Sequence, residues 1–354
     1  MIRLSLRDLQ WRRRRFTIVV LVASLAFGLG LVMSGVLNQL QQEGPKTVEF
    51  FGADQWIVAD GVGGPFTSSQ LIGADLADRI ATFPGVIDTS ALIIGRTTVG
   101  ELDVNIVGYD PDSPMLPNKL AQAIASTDGV AHGAVADITL HRPVGDEVVL
   151  GGTSIPITAV VEDTAFLFSA PTVFLPLSDV QHLLFAGQDV VSTVMIRGHI
   201  DPNMVAADGA PLDVLTNADV RADFDRVLLS TTDTIGIINI LLWLMAAGIV
   251  AAIVYVGVLE RTSEFATLKA MGTTNRALFG GLTLQAAVIS IAGAAASVVV
   301  AWALSPLFGF PVTIPVDAYV RLPMIAVTVG ALASLAGIRK ITRIDPALAF
   351  GGAS

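Results

Sequence analysis

The 354-residue chain has no cysteine. Disulfides, thiolate nucleophiles, thiolate metal ligands and a lipid-modified cysteine are all excluded. Charge is scarce as well: charged residues make up 15% of the chain against 53% hydrophobic ones, far from the balance of a soluble globular domain. Lysine occurs at only four positions, Lys46, Lys119, Lys269 and Lys340, which follow Pro45, Asn118, Leu268 and Arg339. A P-loop needs a lysine directly after glycine, so the chain carries no nucleotide-binding motor of that kind. The four histidines, His132, His141, His182 and His199, fall in no HExxH or other close ligand pair. Surface or hydrogen-bonded roles suit them better than a metal site. No GxSxG elbow occurs either.

The hydrophobic excess is carried by four long apolar runs, at 16–38, 235–258, 276–304 and 319–338. Each is long enough to cross a bilayer, and none has an ionisable residue in its middle, which argues against an intramembrane proton relay. Arg321 sits at the edge of the last run, where it can snorkel. Asn239 and Gln285 are the polar exceptions; each can hydrogen-bond a neighbouring helix or touch cargo. Gly28 with Gly30, the run from Gly293 to Ser297, and Gly330 through Gly337 offer small surfaces for close helix packing. Ahead of the first run, Ile2, Leu6 and Leu9 share one helical face beside Trp11, as in an amphipathic helix lying in the interface over 1–15. Arg12, Arg13, Arg14 and Arg15 close that segment, and the positive-inside rule holds them in the cytosol. A basic run before an apolar one also describes a secretory signal peptide. At about 22 residues the run is longer than a typical h-region, and no small-residue cleavage site follows.

Between the first two runs, residues 39–232 hold 25 Asp and Glu against 8 Lys and Arg, a net of −17, while the remainder carries +7. Cations are retained inside and acidic domains translocate freely, so this segment reads as extracytoplasmic and both termini as cytoplasmic. Its acidity disfavours nucleic acid. Within it, strand patterns at 50–59 and 104–108 flank an expected helix at 71–83, stopped by Pro84-Gly85. Residues 141–152 read as turn, short strand and turn. Strands follow at 155–162 and 172–175, then a helix to Phe185 that Ser178 can cap. A last strand at 193–197 precedes a stalk helix from Asn217. Acid-base catalysis has obvious candidates in Asp146-Glu147 and Glu162-Asp163, but neighbours on a strand point to opposite faces, so neither pair converges by spacing alone. Solvated faces explain them better.

Wedged between the second and third runs, residues 259–275 (LERTSEFATLKAMGTTN) are forced into the headgroup region or the cytosol. As a helix they place Phe265, Leu268 and Met271 on one stripe, away from Glu260, Glu264 and Lys269, with Gly272 where a left-handed cap ends the helix. Thr273, Thr274 and Asn275 are N-cap candidates for the next run. Such a helix suits docking into another protein's groove. From pattern alone, a connecting loop with interfacial side chains serves as well.

The stretch Glu260-Arg261-Thr262-Ser263-Glu264-Phe265-Ala266-Thr267-Leu268-Lys269-Ala270-Met271-Gly272 resembles the "R…E…LkAlGa" signature of FtsX/MacB-like ABC transporter permeases. Arg343-Ile344-Asp345-Pro346-Ala347 is similar to that family's C-terminal ending, and the order of one span, a large outer domain and three further spans covers the chain. The resemblance implies an α-helical membrane protein with four transmembrane helices and a mixed α+β extracytoplasmic domain inserted between helices 1 and 2. It implies a coupling helix at 259–275, with Glu260, Arg261, Glu264, Phe265, Leu268, Lys269, Met271 and Gly272 facing an ATPase. Residues 305–318 become an outer loop and 339–354 a cytoplasmic tail. It further implies a non-catalytic permease subunit of the plasma or inner membrane. Its partners are two cytosolic ABC ATPase subunits, a second permease copy, the lipid bilayer and an extracytoplasmic partner for the outer domain. ATP and Mg are bound by the ATPase, and this chain holds no cofactor of its own. A membrane-anchored sensor or scaffold without transport is the competing class, and an outer-leaflet enzyme a distant third.

Overall fold

The computed structural model describes residues 13–125, 133–207, 209–260, 264, 267, 271–308 and 312–342. It divides the chain into two units, Leu40–Thr232 and Met1–Gln39 with Asp233–Ser354.

The unit Leu40–Thr232 is built on a nine-stranded sheet. Its strands are β1 (Gln55–Ala59), β3 (Val86–Val99), β4 (Leu102–Tyr109), β5 (Ala134–Asp137), β6 (Glu147–Leu150), β7 (Thr153–Val161), β8 (Thr172–Pro176), β10 (Thr193–Gly198) and β11 (Leu212–Thr216), in the order β11-β1-β10-β3-β4-β8-β5-β7-β6. β2 (Ile72–Gly73) and β9 (Val190–Val191) form a separate two-stranded ladder. Within the nine-stranded sheet, pairing is parallel only between β4 and β8 and between β5 and β7. Successive side chains in a strand point to opposite faces, and this sheet buries both. On one face Ile57, Ile93, Ile106, Val173 and Ile196 pack with Ile80 of helix Leu76–Ala81 and Val180 of helix Leu177–Phe185. On the other, Trp56, Leu92, Val107, Phe174 and Met195 meet Phe51, Phe66, Phe166 and Phe224. The Phe66 ring sits 5.3 to 5.5 Å from those of Phe51, Trp56, Phe166 and Phe224, and the Trp56 indole N–H donates to Asn217 Oδ1 at 2.8 Å.

Several elements depart from the sequence reading. The first helix, α1 (Arg13–Phe51), continues through Pro45 to Phe51, so the strand expected from residue 50 begins at Gln55. Pro45 removes one helical N–H, yet Thr47 Oγ1 donates to Glu43 O at 2.7 Å and tertiary packing holds the turn. The helix expected over 71–83 shortens to Leu76–Ala81, because Ile72–Gly73 pairs with Val190–Val191. Helix Leu177–Phe185 has Pro176 at its N-cap, so Ser178 lies inside the first turn and caps nothing. The strand at 193–197 is not the last: Leu212–Thr216 follows and forms a sheet edge. The stalk helix does start at Asn217, as α6 (Asn217–Glu260). Asp219 Oδ2 accepts from the Thr216 N–H and hydroxyl at 2.8 and 2.6 Å, a cap that lowers the Asp219 carboxyl from its ordinary value.

In the other unit, α1 and α6 are joined by α7 (Asn275–Leu304) and α8 (Val316–Thr342). Three helices among the described residues are long and apolar enough to cross a membrane: Thr17–Phe51, Asn217–Gly257 and Ala286–Leu307. The fourth expected run falls within α8, where Arg321 pairs with Asp317 at 2.6 Å. The buried members of this unit are mostly small or branched, Ala23, Ala26, Ala246, Val250, Ala286 and Ala301 among them. Of the glycines expected at close helix contacts, Gly28 and Gly293 make them, while the surroundings of Gly330 and Gly337 lie outside the described residues. A Cβ on Gly28 would stand 2.6 Å from Val300 Cγ1 and 2.8 Å from Val300 Cβ, and one on Gly293 would stand 3.2 Å from Ala23 Cβ. Asn239 bridges helices rather than facing open space: its Nδ2 donates to Ser34 Oγ at 3.0 Å, and its Oδ1 accepts from Trp243 Nε1 at 2.8 Å. The Gln285 side chain lies outside the described residues. Gly28→Leu should force α1 from α7, because the clash involves the root of a branched side chain. Overpacking of this kind costs about 1–3 kcal/mol. The check is thermal unfolding in detergent; an unchanged melting temperature would show that the bundle does not need this approach.

Candidate functional site

The stretch expected to face a partner lies between two helices whose ends are fixed, Glu260 of α6 and Asn275 of α7. Within it, Glu264 and Thr267 are helical, and the Met271 N–H donates to Thr267 O at 3.0 Å, one helical turn back. Gly272 follows at φ +90°, a left-handed backbone that a side chain would strain, and the helical path ends there as its sequence position suggested. The next helix begins at once: Thr274 sits at its N-cap, its carbonyl accepting the Leu278 N–H at 3.2 Å. Of the proposed contact residues, Glu260, Glu264, Met271 and Gly272 are exposed, Met271 to 70%. Arg261, Phe265, Leu268 and Lys269 lie outside the described residues, so the shared stripe is carried by the sequence. A methionine that exposed beside an acidic helix suits an adaptable, partly apolar contact.

Other residues singled out in the sequence are not brought into one site. Glu147 accepts from Ser154, Asp163 pairs with Lys119 at 3.4 Å, and the His141 ring contacts Thr139 O at 2.7 Å. His132 lies outside the described residues. Among the described residues no cluster of three or more metal-ligating side chains occurs. An open cleft of about 570 Å³ runs beside Asp60, Gln70 and Leu212, with Asp75 and Arg79 paired across 3.7 Å on its wall.

A constellation absent from the sequence reading lies between β7 and β8. Phe166 and Ala170 form an antiparallel bridge, and the three residues they enclose, Leu167, Phe168 and Ser169, have φ of +50°, +66° and +56°. None is glycine, and neither is Asp163 at +59°. Each such residue costs on the order of 1–3 kcal/mol. The cost is met by buried polar groups aimed at the loop. Glu43 of α1, 1% exposed, accepts from the Phe168 N–H at 2.9 Å and from the Ser169 N–H and hydroxyl at 2.7 and 2.8 Å. Asn105 Nδ2 donates to the carbonyls of Phe166 and Ala170, and Asp137 accepts from the Thr164 N–H and hydroxyl. Burial raises the Glu43 carboxyl above its usual range, with the Ser169 and Phe168 bonds and the Lys46 charge working against it. The outcome is a tip that tucks Leu167 and Ser169 inside and leaves Phe168 48% exposed. No residue type in the segment signals left-handed backbone, so only the polar residues around it, scattered over 43, 105 and 137, could have hinted at it.

The profile described as FtsX-like permease C-terminal matches residues 236–346, which includes the stretch between α6 and α7. An uncharacterised ABC transporter permease of Mycobacterium tuberculosis is 35% identical over 353 residues, 98% of this chain and 99% of that one. A second from the same species is 35% identical over 354 residues, with the same shares covered. A Staphylococcus epidermidis protein named for a hemin transport system permease is 32% identical over 115 residues, 31% of this chain and 32% of that one. Among solved structures, the periplasmic region of MacB from Actinobacillus actinomycetemcomitans aligns at a TM-score of 0.33 and 12% identity, covering 48% of this chain and 92% of that one.

Proposed function

The chain belongs to the FtsX-like ABC transporter permeases, membrane proteins, and from that premise we propose that it performs mechanical rather than chemical work. Separate cytosolic ATPases dock on residues 259–275, and their closure moves the ends of α6 and α7, which carry the motion toward the outer domain. The observation that supports this most is the hinge itself. The helical turn from Thr267 to Met271 ends at left-handed Gly272, and the Thr274 N-cap of α7 follows with one residue between, so a displacement of that turn passes directly to the start of α7. The sequence adds that no lysine follows a glycine, so the ATP must be handled elsewhere. Four spans, with the fourth inside α8, and cytoplasmic termini complete the reading. Four spans are few for one path, which favours a pair of permeases, by symmetry a homodimer. Export or control of an extracytoplasmic partner are both served by such a machine.

The purified polypeptide should therefore hydrolyse no ATP on its own and should capture a soluble ATPase of its own cell in detergent. Robust hydrolysis by the lone chain would sink the proposal. Orientation is tested by reporters: one inserted at Thr267 should be cytoplasmic and one at Gly209 external. A cytosolic Gly209 would overturn the arrangement.

A further inference from the structure

We propose that the free edge of β11 takes up an extended, basic segment of another protein as an added strand, with a lysine or arginine of that segment in the cleft beside Leu212. The inference concerns the unit Leu40–Thr232 alone and does not depend on the coupling to an ATPase.

β11 ends the nine-stranded sheet on its side and is hydrogen-bonded to β1 only. The Asp60 N–H donates to Pro211 O at 2.9 Å, so Pro211 faces β1, and in an antiparallel ladder Asp213 and Leu215 face it too. Leu212 and Val214 therefore turn their N–H and C=O groups outward, and no hydrogen bond among the described residues closes on them. Thr216 is the next outward residue, and its N–H is already taken by Asp219. Natural sheet edges are blunted by proline, by charge or by a covering element. Here the proline and the charge both serve the inner side: Pro211 bonds the end of β1 through its carbonyl, and the Asp213 carboxylate accepts the Gly61 N–H at 2.9 Å. The opposite edge differs. In β6 the outward carbonyl of Glu147 is covered by the Arg142 guanidinium at 3.5 Å.

The open cleft of about 570 Å³ adjoins this free edge, because Leu212 belongs to both. Ile72 and Leu76, which also line it, are buried on the sheet face against which Leu212 and Val214 pack. Side chains of an added strand alternate between faces, so those beside Leu212 and Val214 project on the side where the cleft opens. A long side chain there can lay its apolar stem against Leu76 and keep its charged head at the rim. That rim is acidic: Arg79 pairs with Asp75, while the exposed Asp60 carboxylate has no partner among the described residues. With a net of −17 over 39–232, a second copy of this chain is repelled and a basic segment is drawn in. Main-chain pairing supplies the affinity of such an addition, and the cleft selects the side chain.

The probe is a short fluorescein-labelled peptide of alternating valine and threonine with a central arginine, titrated against the full-length chain in detergent and read by polarisation. It should bind with a dissociation constant below about 1 mM, and about fivefold more tightly than the same peptide with a central glutamate. Asp60→Lys should reverse that preference. Val214→Pro removes an N–H that faces away from β1, so the sheet keeps its own ladder while binding of both peptides is lost. Methylating the peptide's backbone nitrogens at alternate residues makes the same check without altering the protein: one pattern should abolish binding and the other should keep it. Equal binding of the two methylated patterns, or undiminished binding to Val214→Pro, overturns strand addition. Failure of the arginine peptide to bind the unaltered chain overturns it as well. An unchanged preference in Asp60→Lys overturns the assignment of a basic partner. Self-association of the chain that Val214→Pro abolishes would give the edge to a second copy and likewise overturn the proposal.

Discussion

Leu268→Asp is expected to abolish capture of the ATPase while leaving expression and assembly of the permease intact. If Phe265, Leu268 and Met271 fill a groove on the partner, the aspartate buries an unpaired charge at that contact. Uncompensated buried charge costs about 3–5 kcal/mol, which corresponds to at least a hundredfold in affinity. That exceeds the contribution of any rim residue. Glu264 is exposed, so Glu264→Ala should weaken docking by much less unless a buried cation on the ATPase receives it. Pulldown of the ATPase and ATP-dependent function should fall together in Leu268→Asp, with the oligomeric state unchanged by size-exclusion in detergent. Normal affinity in that variant would reduce residues 259–275 to a connector and favour the sensor or scaffold class.

Glu43→Ala should release the loop between β7 and β8. The substitution strands three donors, the Phe168 and Ser169 amides and the Ser169 hydroxyl. Each unsatisfied buried donor costs about 1–3 kcal/mol. Part of this returns, because an expensive buried carboxylate disappears and because the loop can leave its left-handed conformation rather than keep its donors dry. A net loss of about 3 kcal/mol is the expected balance, a shift of roughly 6–12 °C in a unit of this size. Hydrogen exchange should locate it: amides of residues 164–170 lose protection first, while β3 and β4 keep theirs. Glu43→Gln preserves one acceptor but turns an amide group toward backbone N–H, and should fall between the two. Unchanged protection at Phe168 and Ser169 would show that the carboxylate is not what holds the strain.

What was legible in the sequence followed from solvent. Apolar runs, the arginine cluster and the acid count between them marked a large inserted segment at 39–232, and the structure separates Leu40–Thr232 as a unit. Gly28 and Gly293 were readable because only glycine lets helices approach this closely. The 14-residue strand β3 was missed, since Ala91, Leu92, Ile93 and Ile94 are buried on both faces and break the period-two signal. Helix α1 past residue 38 was missed because the apolar run ends there, whereas packing of Val48 and Phe51 against the sheet carries the helix on through Pro45. Gly272 was legible at the hinge, where composition and conformation agree. The loop at 163–170 was not, because its backbone is dictated by partners more than 25 residues away.

The strand order of the nine-stranded sheet also sets a timetable for synthesis. Strand β1 leaves the ribosome early, yet both of its neighbours, β10 and β11, come near the end of the segment. Trp56, fully buried in the finished sheet, waits for Asn217, 161 residues later, to satisfy its indole. At 5–20 residues per second that interval lasts about 8–30 s, during which β1 has two open edges and an uncovered tryptophan. Long-range pairing of this kind is slow even once the chain is complete. Folding of this unit therefore lags its synthesis, and β1 keeps an unpaired edge until Thr216 arrives.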